Sequence, residues 1–385
     1  MKDFYITLTP FFPSPTNFTG SYIYDQVKAI QKERDFEVIV ITPANGLKEE
    51  SYQYQGVAVH QIKLLDLPSF ILPGLFTGIN YNRLLSKLKI FTHNQLQNIK
   101  FIHGHVTYPF GMLAVDLAKA LGAKSIVQHH GFDVMGYTNG RLKQQWFKRL
   151  NQNWINKYHV PKLNQADWNV GVSQKTLDAL HAVKGYQPTQ EYVLYNGVDF
   201  RKFYPVEGLK DEKYFTIGCV GNFWAIKDQL TLIKAVEILL KENLTKRIRL
   251  KLIGTGATLA ICTEYVERHS LSNHVQFLPT IDHTELNNFY NTLNLFVLPS
   301  YYEAFGCVYT EAYACGVPFI GVYGQGIEEL ILAKNISYQS IKPKQEHELA
   351  IKINYFCQHE NFKPSLNRSI DITNLIAQFL STINQ

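Results

Sequence analysis

Two glutamates, Glu303 and Glu311, lie eight residues apart in a stretch that is otherwise mostly apolar or small, SYYEAFGCVYTEAYACGVPFIG at 300–321. Charged carboxylates are rarely buried without a partner, so this stretch predicts a polar ligand. A carboxylate can accept hydrogen bonds from two adjacent hydroxyl groups, such as those of a ribose, or from a sugar farther along the same ligand. The plainer interpretation is that Glu311 complements the dipole at a helix N-terminus.

The elements around the two acids would bring them to one edge of a sheet. LNLFVLPS at 293–300 is a predicted strand, Gly306 permits a tight turn, and a helix is predicted from about Cys307 until Gly316 caps it. The first N–H groups of a helix lack partners within it. The amides from Gly306 to Val308 are therefore candidates for holding phosphate oxygens.

A histidine ends another predicted strand, SIVQHH at 125–130. Ligands of parallel α/β sheets bind at the carboxyl ends of the strands. His130 is therefore a candidate for contacting a ligand, and Asp133 for orienting it or holding the loop. Successive side chains of a strand point to opposite faces, so we interpret His129 as structural. The plainer interpretation of His130 is a hydrogen-bonded histidine of the core.

Composition predicts a folded protein of more than one domain. The chain has 385 residues, of which 46% are hydrophobic and 18% charged, and its net charge is +6. This length suggests about two domains, and the charged fraction is too low for a disordered chain. No apolar run approaches the length of about 18 residues that a transmembrane helix needs. The positive charge fits an anionic membrane, a phosphorylated ligand or nucleic acid without choosing among them.

The cysteines favour a reducing compartment. All five lie in the second half of the chain and none forms a CxxC pair, which is typical of small buried thiols. We therefore expect a cytoplasmic protein, with peripheral contact to the inner face of the plasma membrane left open. No nucleic-acid partner is predicted.

Strand-like and helix-like segments alternate along both halves of the chain, which predicts an α/β fold with two doubly wound parallel-sheet, Rossmann-like domains. The pattern breaks at 196–211 and then starts afresh, so we predict a first domain at 1–205 and a second at 206–365. Two such sheets with facing carboxyl edges would make a cleft for a ligand. The strand candidates are FYITL, FEVIVITP, VAVHQI, FIHGHV, SIVQHH, WNVGVS and EYVLY in the first half, and YFTIGCVGN, RIRLKLIG, HVQFLP, LNLFVLPS and VPFIG in the second.

The stretch at 299–321 resembles the E-x7-E signature of retaining glycosyltransferases with the GT-B fold, in the large family four of those enzymes. Each single match is weak, but several segments resemble elements of the family in the same order along the chain. These segments are PFFPSPTNFTGS at 10–21, HHGFDV at 129–134, ADWNVGVSQ at 166–174, YNGVDFRKFYP at 195–205, GNFWAIKD at 221–228, and then LKLIGTGA and VQFLPTIDHTEL. The chain departs from the family pattern at Asn222, where arginine is usual, and at Pro279 and Glu328.

The resemblance implies transfer of a sugar from a nucleotide-diphosphate donor, with retention of the anomeric configuration. It implies that the second domain binds the donor, that the first binds a glycan or lipid-linked acceptor, and that the C-terminal helix, 366–385, returns to the first domain. By the same resemblance, Glu303 contacts the sugar, Glu311 the ribose, Lys227 the diphosphate and His130 the reacting sugar. Further donor contacts are expected at Gly20, Ser21, Asn222, Phe305, Gly306, Cys307 and Glu329.

The charge on a departing diphosphate must be stabilised by a metal ion or by fixed cations. The sequence has no Asp-x-Asp and no His/Cys cluster with metal-ligand spacing, so we expect a metal-independent site without a cofactor. Lys227 and the amides of the helix would then stabilise the charge. The alternative interpretation of Lys227 is a solvated surface lysine, and Asn222 leaves open whether another cation contributes.

A basic and aromatic segment at 141–162, RLKQQWFKRLNQNWINKYHVPK, holds six Lys and Arg residues and no acid. Its residues Leu142, Trp146, Leu150 and Trp154 recur at helical spacing, with Phe147 and Ile155 beside them. Such a helix could lie on an anionic membrane and bring a lipid-linked acceptor close, and the apolar run at 67–81 could extend that surface. The alternative is that the apolar stripe packs on its own domain while the cations are solvated.

Two other functions remain open at this stage. One is epimerisation of nucleotide sugars on the same two-domain architecture. The other is a non-catalytic partner subunit that keeps the fold and binds glycan, which the missing arginine at Asn222 mildly favours. The presence of Glu303, Glu311, Lys227 and His130 argues against the second. We expect instead a glycosyltransferase that acts in the biosynthesis of a cell-surface polysaccharide or glycolipid.

Overall fold

The chain forms two α/β units, and the first unit is assembled from both ends of the sequence. The computed structural model describes residues 2–15, 17–33, 36–44, 46, 48–67, 71–134, 145–242, 247–334, 336 and 338–384. The first unit contains Met1–Asn196 together with Ile372–Gln385, and the second contains Gly197–Asp371. The N-terminal segment of the first unit thus ends at Asn196, ahead of the predicted boundary at residue 205.

The first unit contains an eight-stranded sheet in the order β3-β4-β2-β1-β5-β6-β7-β8. Its neighbouring strands run parallel, except that β3 pairs antiparallel with β4. The strands are β1 (Asp3–Leu8), β2 (Phe36–Pro43), β3 (Ser51–Tyr54), β4 (Val57–Ile62), β5 (Ile99–His105), β6 (Lys124–His129), β7 (Trp168–Gly171) and β8 (Glu191–Val193).

Helices cover both faces of this sheet, because its central strands are apolar on both sides. The described helices of this unit are α1 (Ser21–Glu33), α2 (Thr77–Phe91), α3 (Met112–Leu121), α4 (Gln145–Tyr158), α5 (Val160–Gln165), α6 (Gln174–His181) and α13 (Ile372–Ile383). On one face, Tyr5 and Phe101 pack with apolar residues of α1 and α13. On the other face, Ile6 and Ile102 pack with residues of α2 and α3.

Helix α1 illustrates how the sequence fixes an element on one face of this sheet. Ile23, Val27 and Ile30 are buried at helical spacing on the face that packs on the sheet. Gly20 precedes the helix with φ +89°, and a Cβ at this position would lie 2.7 Å from the backbone carbon of Phe11. Glycine is therefore the residue that this turn accommodates.

The second unit contains a six-stranded sheet in the order β11-β10-β9-β12-β13-β14, whose recorded pairings are all parallel. The strands are β9 (Phe215–Val220), β10 (Ile248–Ile253), β11 (Val275–Leu278), β12 (Leu295–Val297), β13 (Phe319–Val322) and β14 (Gln339–Ile341). The described helices are α7 (Gln229–Lys241), α8 (Leu259–Arg268), α9 (Leu286–Asn291), α10 (Cys307–Ala314), α11 (Gly326–Ala333) and α12 (Glu346–Gln358).

Two elements depart from the sequence pattern for local reasons. The pattern YNRLLSKLKIFTHNQLQN at 81–98 is typical of a helix, but the helix lies at Thr77–Phe91. It ends there because His93 and Asn94 adopt left-handed conformations, with φ 51° and 63°. Strand β3 was not predicted, since its sequence SYQY is exposed or half-buried throughout and lacks an apolar run.

No helix in the described ranges is long and apolar enough to cross a bilayer.

Candidate active site

Gly306 sets the entry to helix α10 in the second unit. It has φ +86°, and a Cβ there would lie 2.8 Å from the ring of Tyr309, so the turn requires glycine. Tyr309 is itself fixed, because its hydroxyl donates to the carbonyl oxygen of Leu298 at 2.6 Å. The loop between β12 and α10 therefore has a defined path, and the first amides of α10 lie at its end.

Glu303 lies in this loop and forms an ion pair with Lys227. Its side chain is buried, at 7% exposure, and its Cγ would be 3.7 Å from a Cβ on Gly306. The backbone amide of Glu303 donates to Oε1 of Gln325 at 2.7 Å, and Nε2 of Gln325 donates to the carbonyl oxygen of Tyr301 at 3.2 Å. These residues follow β9, β12 and β13, whose carboxyl ends meet at one edge because the strands are parallel.

Lys227 reaches Glu303 from a short 3-10 helix, Ala225–Lys227, in the loop after β9. That loop is tied to its neighbours through the backbone, since the amide of Tyr301 donates to the carbonyl oxygen of Ile226 at 3.0 Å. The Lys227 side chain is 20% exposed. It is thus a partly buried, ion-paired lysine, which argues against a solvated surface lysine. Asn222, in the same loop, is exposed.

Glu311 lies within α10 and has partners inside the second unit. The hydroxyl of Tyr290 donates to its Oε2 at 2.7 Å, and Nε2 of His283 lies 3.4 Å from its Oε1. The Glu311 side chain is 11% exposed. Burial and the neighbouring Glu311 charge raise the pKa of Tyr290 well above its ordinary value, so Tyr290 keeps the proton that it donates.

The other expected donor contacts of this unit lie around the same helix starts. Phe305 is buried, at 2% exposure. Cys307 is half-buried at the first residue of α10. Glu329 is half-buried in the first turn of α11. Within the residues described, no group of three or more His, Cys, Asp and Glu side chains is arranged to hold a metal ion.

His130 lies directly after β6 in the first unit, in contact with two other rings. Its Nε2 is 3.1 Å from Nδ1 of His105, at the end of β5, and the two imidazoles stack with centroids 5.3 Å apart. The ring of Tyr22, in the first turn of α1, has its centroid 5.3 Å from that of His130. Burial is the main reason that the pKa of His130 is lowered to about 4, so the ring is neutral at physiological pH.

Asp133 holds the turn that follows His130. Its carboxylate accepts hydrogen bonds from the backbone amides of Thr107 at 2.8 Å and His130 at 3.0 Å, and from the Thr107 hydroxyl at 2.9 Å. Burial alone would raise the pKa of Asp133, but the neighbouring His129 and His130 and the Thr107 amide bring it below its ordinary value. The carboxylate is therefore charged and ties the ends of β5 and β6 together.

His129 points into the body of the first unit. Its Nδ1 lies 2.9 Å from the Thr107 hydroxyl and its Nε2 lies 3.1 Å from Oδ1 of Asn169. Gly20 and Ser21 lie at the start of α1, where the amide of Ser21 donates to the carbonyl oxygen of Phe18 at 3.2 Å. That amide therefore has a backbone partner in this structure.

The structure thus brings Lys227 and Glu303 into contact at one sheet edge of the second unit, with Gly306 beside them. In the first unit it groups His130, Asp133 and the first turn of α1. Sequence reasoning missed the side chains that hold these residues. Gln325 lies in a segment that resembles a family element, but the partners of Glu311 and His130 carry no local signal, because they come from separate elements. The missed partners are Gln325, Tyr290, His283, His105 and Thr107.

Two family profiles match adjoining parts of the chain. The family described as Glycosyl transferases group 1 matches residues 200–370. The family described as Glycosyltransferase Family 4 matches residues 19–202.

Two relatives illustrate the sequence similarity. The chain is 23% identical over 344 residues to the GDP-mannose-dependent monoacylated alpha-(1-6)-phosphatidylinositol monomannoside mannosyltransferase of Corynebacterium glutamicum, covering 85% of this chain and 82% of that protein. It is 29% identical over 178 residues to a D-inositol 3-phosphate glycosyltransferase of Streptomyces bingchenggensis, covering 42% of this chain and 39% of that protein.

Solved structures share the fold along nearly the whole chain. Sucrose-phosphate synthase from Thermosynechococcus elongatus superposes with a TM-score of 0.68 at 17% identity, over 99% of this chain and 94% of that chain. HepE of Anabaena, in complex with UDP and glucose, superposes with a TM-score of 0.65 at 17% identity, over 99% and 97% of the two chains. The two parallel-sheet units are therefore those of the GT-B fold, and the predicted fold class is confirmed.

Proposed function

The chain belongs to the family 4 glycosyltransferases of the GT-B fold, and from this premise we propose that it is a retaining enzyme. It transfers a sugar from a nucleotide-diphosphate donor to a glycan or lipid-linked acceptor, without a metal ion. A role in the biosynthesis of a cell-surface polysaccharide or glycolipid, in the cytoplasm at the inner face of the plasma membrane, completes the proposal.

The observation that carries the proposal is the buried ion pair between Lys227 and Glu303 beside the first turn of α10. A cation and helix amides at one sheet edge suit the two functions that the donor needs. The amides and the ammonium group stabilise negative charge as the diphosphate leaves. The carboxylate accepts hydrogen bonds from the hydroxyl groups of the sugar, and its ion pair orients Lys227 until the donor arrives.

Glu311 and His130 have separate roles in this proposal. Glu311 binds the ribose hydroxyls, and Tyr290 fixes its carboxylate by donating to one oxygen. His130, held neutral by burial, hydrogen-bonds a hydroxyl of the reacting sugar. Asp133 positions His130 by binding its backbone amide. Gly20, Ser21, Asn222, Phe305, Cys307 and Glu329 keep their expected donor contacts as part of the proposal.

The names of the similar proteins suggest which donors to test first. The corynebacterial relative is named as GDP-mannose-dependent, and HepE was crystallised with UDP-glucose. We would therefore screen UDP- and GDP-sugars for thermal stabilisation of the protein and for slow hydrolysis. With a productive donor, NMR of the first-formed product reports its anomeric configuration, and an inverted product would contradict retention.

The screen also distinguishes the alternatives. Stabilisation by a donor without hydrolysis or transfer would favour a binding subunit. Hydrogen exchange at the second carbon of the donor sugar in deuterated water, without any acceptor, would favour an epimerase. A Glu303→Gln variant serves as the active-site test, and Glu237→Gln is its control, because Glu237 is also buried and ion-paired to a lysine, Lys241.

Helix α4 supports the peripheral membrane part of the proposal. Trp146 and Leu150 are exposed, at 64% and 46%, and so are Lys148 and Arg149 of the same helix. The helix packs on its own unit through Ile155, which is 2% exposed. Exposed aromatic and basic side chains on one helix suit an anionic bilayer interface.

The neighbouring segment extends this surface. Nε1 of Trp154 donates to the carbonyl oxygen of Pro73 at 2.7 Å, and Leu75 and Ile79 follow, at 47% and 50% exposure. The predicted residue Leu142 lies outside the described residues, as do 68–70. Flotation with anionic vesicles should retain the protein at low salt and release part of it at high salt, and a Trp146→Ser, Leu150→Ser double variant should bind less. Equal binding to neutral vesicles, or none to anionic ones, contradicts this part of the proposal.

A further inference from the structure

His130 is one member of a row of imidazoles that continues into the core of the first unit. His103 and His105 both lie on β5, two residues apart, so their side chains point to the same face of the sheet. Their rings stack with centroids 4.3 Å apart, and His105 in turn stacks on His130. The inner end of the row is fixed, because Nδ1 of His103 lies 2.8 Å from the hydroxyl of Tyr5.

His105 contacts His130 through a ring nitrogen as well as through its face. Nδ1 of His105 and Nε2 of His130 are 3.1 Å apart, and His105 is 1% exposed. A neutral imidazole carries one N–H donor and one acceptor, so one of these two nitrogens must be protonated while the other accepts. This hydrogen bond therefore couples the tautomer of His130 to the tautomer of His105.

The remaining nitrogen of His130 has a different environment. Among the described residues, no hydrogen bond to Nδ1 of His130 is present, and the residue is partly exposed. The tautomer of the His130 ring determines whether Nδ1 donates a hydrogen bond to a ligand hydroxyl or accepts one from it. The orientation of the ring determines where Nδ1 points. Both rings stay neutral near pH 7, because burial lowers the pKa of His105 far below its ordinary value and that of His130 to about 4.

We propose that His105 is a positioning residue, which fixes the ring and the tautomer of His130 so that Nδ1 meets the donor sugar. This proposal rests on the role of His130 in the proposed function. His103 has no part in it beyond packing, since its Nδ1 is bonded to Tyr5 rather than to His130.

Three variants separate positioning from packing. His105→Phe keeps a stacked ring but removes the nitrogen that contacts His130. His105→Asn restores a hydrogen-bonding atom at the place of Nδ1. His103→Phe is the matched control, since it removes ring nitrogens at an equally buried position of the same strand.

With a productive donor, His105→Phe should lower kcat for donor hydrolysis about tenfold or more, on the scale of losing an outer-shell partner. KM for the donor should stay close to that of the wild type, and His105→Asn should recover a large part of kcat. His103→Phe should lower thermal stability but leave kcat within about twofold, because it does not touch the hydrogen bond to His130. Equal losses of kcat in the two phenylalanine variants would mean that His105 only packs, which overturns the proposal.

A spectroscopic measurement tests the tautomer without using activity. Nitrogen-15 NMR of histidine-labelled protein should show one neutral tautomer for His130 in the wild type and in His103→Phe, and a mixture in His105→Phe. A single tautomer in all three proteins would contradict the proposal. His130→Ala distinguishes failure of the proposed function from failure of this inference. Normal turnover in His130→Ala rejects the role of His130. A loss of turnover in His130→Ala together with normal turnover in His105→Phe rejects only the role of His105.

Discussion

Each unit carries a cluster of polar side chains at the edge of its sheet, and the two clusters differ in charge. In the second unit the cluster consists of fixed charges, with Lys227 paired to Glu303. In the first unit the imidazoles are neutral, since burial lowers the pKa of His103 to about 3 and that of His130 to about 4, and the charged Asp133 carboxylate binds the turn and the Thr107 side chain of its own unit. A charged cluster suits a charged diphosphate, whereas neutral rings exchange hydrogen bonds with uncharged hydroxyls. In the proposed function, the charged cluster binds the diphosphate and the neutral rings bind hydroxyl groups.

The largest effect should come from removing the cation of the second unit. Lys227→Ala should lower turnover by about 100-fold or more, which is the scale of losing one oxyanion donor. It should also weaken binding of the nucleoside diphosphate, measured by calorimetry. Lys241→Ala is the control, because Lys241 is paired with a buried glutamate at the far end of α7. Near-normal turnover in Lys227→Ala would remove the basis for the comparison.

A smaller effect is expected from the neutral cluster. His130→Ala should lower turnover by about 30-fold, or about 2 kcal/mol, because a buried hydroxyl left without its hydrogen-bond partner costs about 1–3 kcal/mol. It should leave nucleoside diphosphate affinity close to that of the wild type, because a neutral ring adds no charge for the phosphates. If His130→Ala weakened diphosphate binding as strongly as Lys227→Ala, the division of labour between the clusters would be wrong.

Acidification should affect the first unit before the second. Histidines such as His103 and His130 have folded pKa values below the unfolded value of about 6.5. As the pH falls below about 6.5, the unfolded chain binds protons that the folded unit does not, so the free energy of unfolding decreases until the pH approaches the folded value. For a single ring with a folded pKa of about 4, the loss at pH 5 is about 2 kcal/mol.

Glu237 of the second unit provides the contrast. Burial would raise its pKa, but hydrogen bonds from Lys241, Tyr265 and His269 lower it to about 2. Its contribution is therefore present above about pH 4.5 and is lost only as the pH falls toward 2. Hydrogen exchange followed by mass spectrometry at pH 7 and pH 5, corrected for intrinsic exchange rates, should show more opening in the first unit. Equal opening of both units would contradict the expected order.

The smallest effect tests the partner of Glu311. Tyr290→Phe removes the hydroxyl that donates to Oε2 and should lower the free energy of unfolding by about 1–2 kcal/mol. Donor affinity should fall only a few-fold, since the carboxylate itself remains. Tyr265→Phe is matched, because it removes a tyrosine hydroxyl that also donates to a buried glutamate, here to Oε2 of Glu237 at 2.5 Å. Calorimetric titration that found equal donor affinity in the two variants would argue against Tyr290 orienting Glu311.

Much of the fold could be predicted because its central strands are strongly apolar. The predicted segments FEVIVITP and VAVHQI coincide with β2 and β4. Strand β3 could not be found, because an edge strand without an apolar face has no periodic signal. The class of protein followed from ordered motifs, and the comparisons confirm it.

The site could be predicted only as far as the residues within motifs. Glu303 and Lys227 were chosen from separate motifs, and the structure brings them into one ion pair. Tyr290 and His105 could not be chosen, because their relevance depends on contacts between elements distant in sequence. Which atoms of a histidine are engaged is likewise a property of the folded packing, and sequence does not carry it.

Helix α13 affects the order in which the two units can fold during synthesis on the ribosome. Its residues Ile376 and Phe379 complete the same core as Tyr5 and α1. The second unit is one continuous segment, so it can fold as soon as it has left the ribosomal exit tunnel. Synthesis of the first unit begins earlier, but its core cannot be completed until helix α13 has left the exit tunnel. Its nascent sheet is therefore exposed to chaperones for longer than that of the unit synthesised after it.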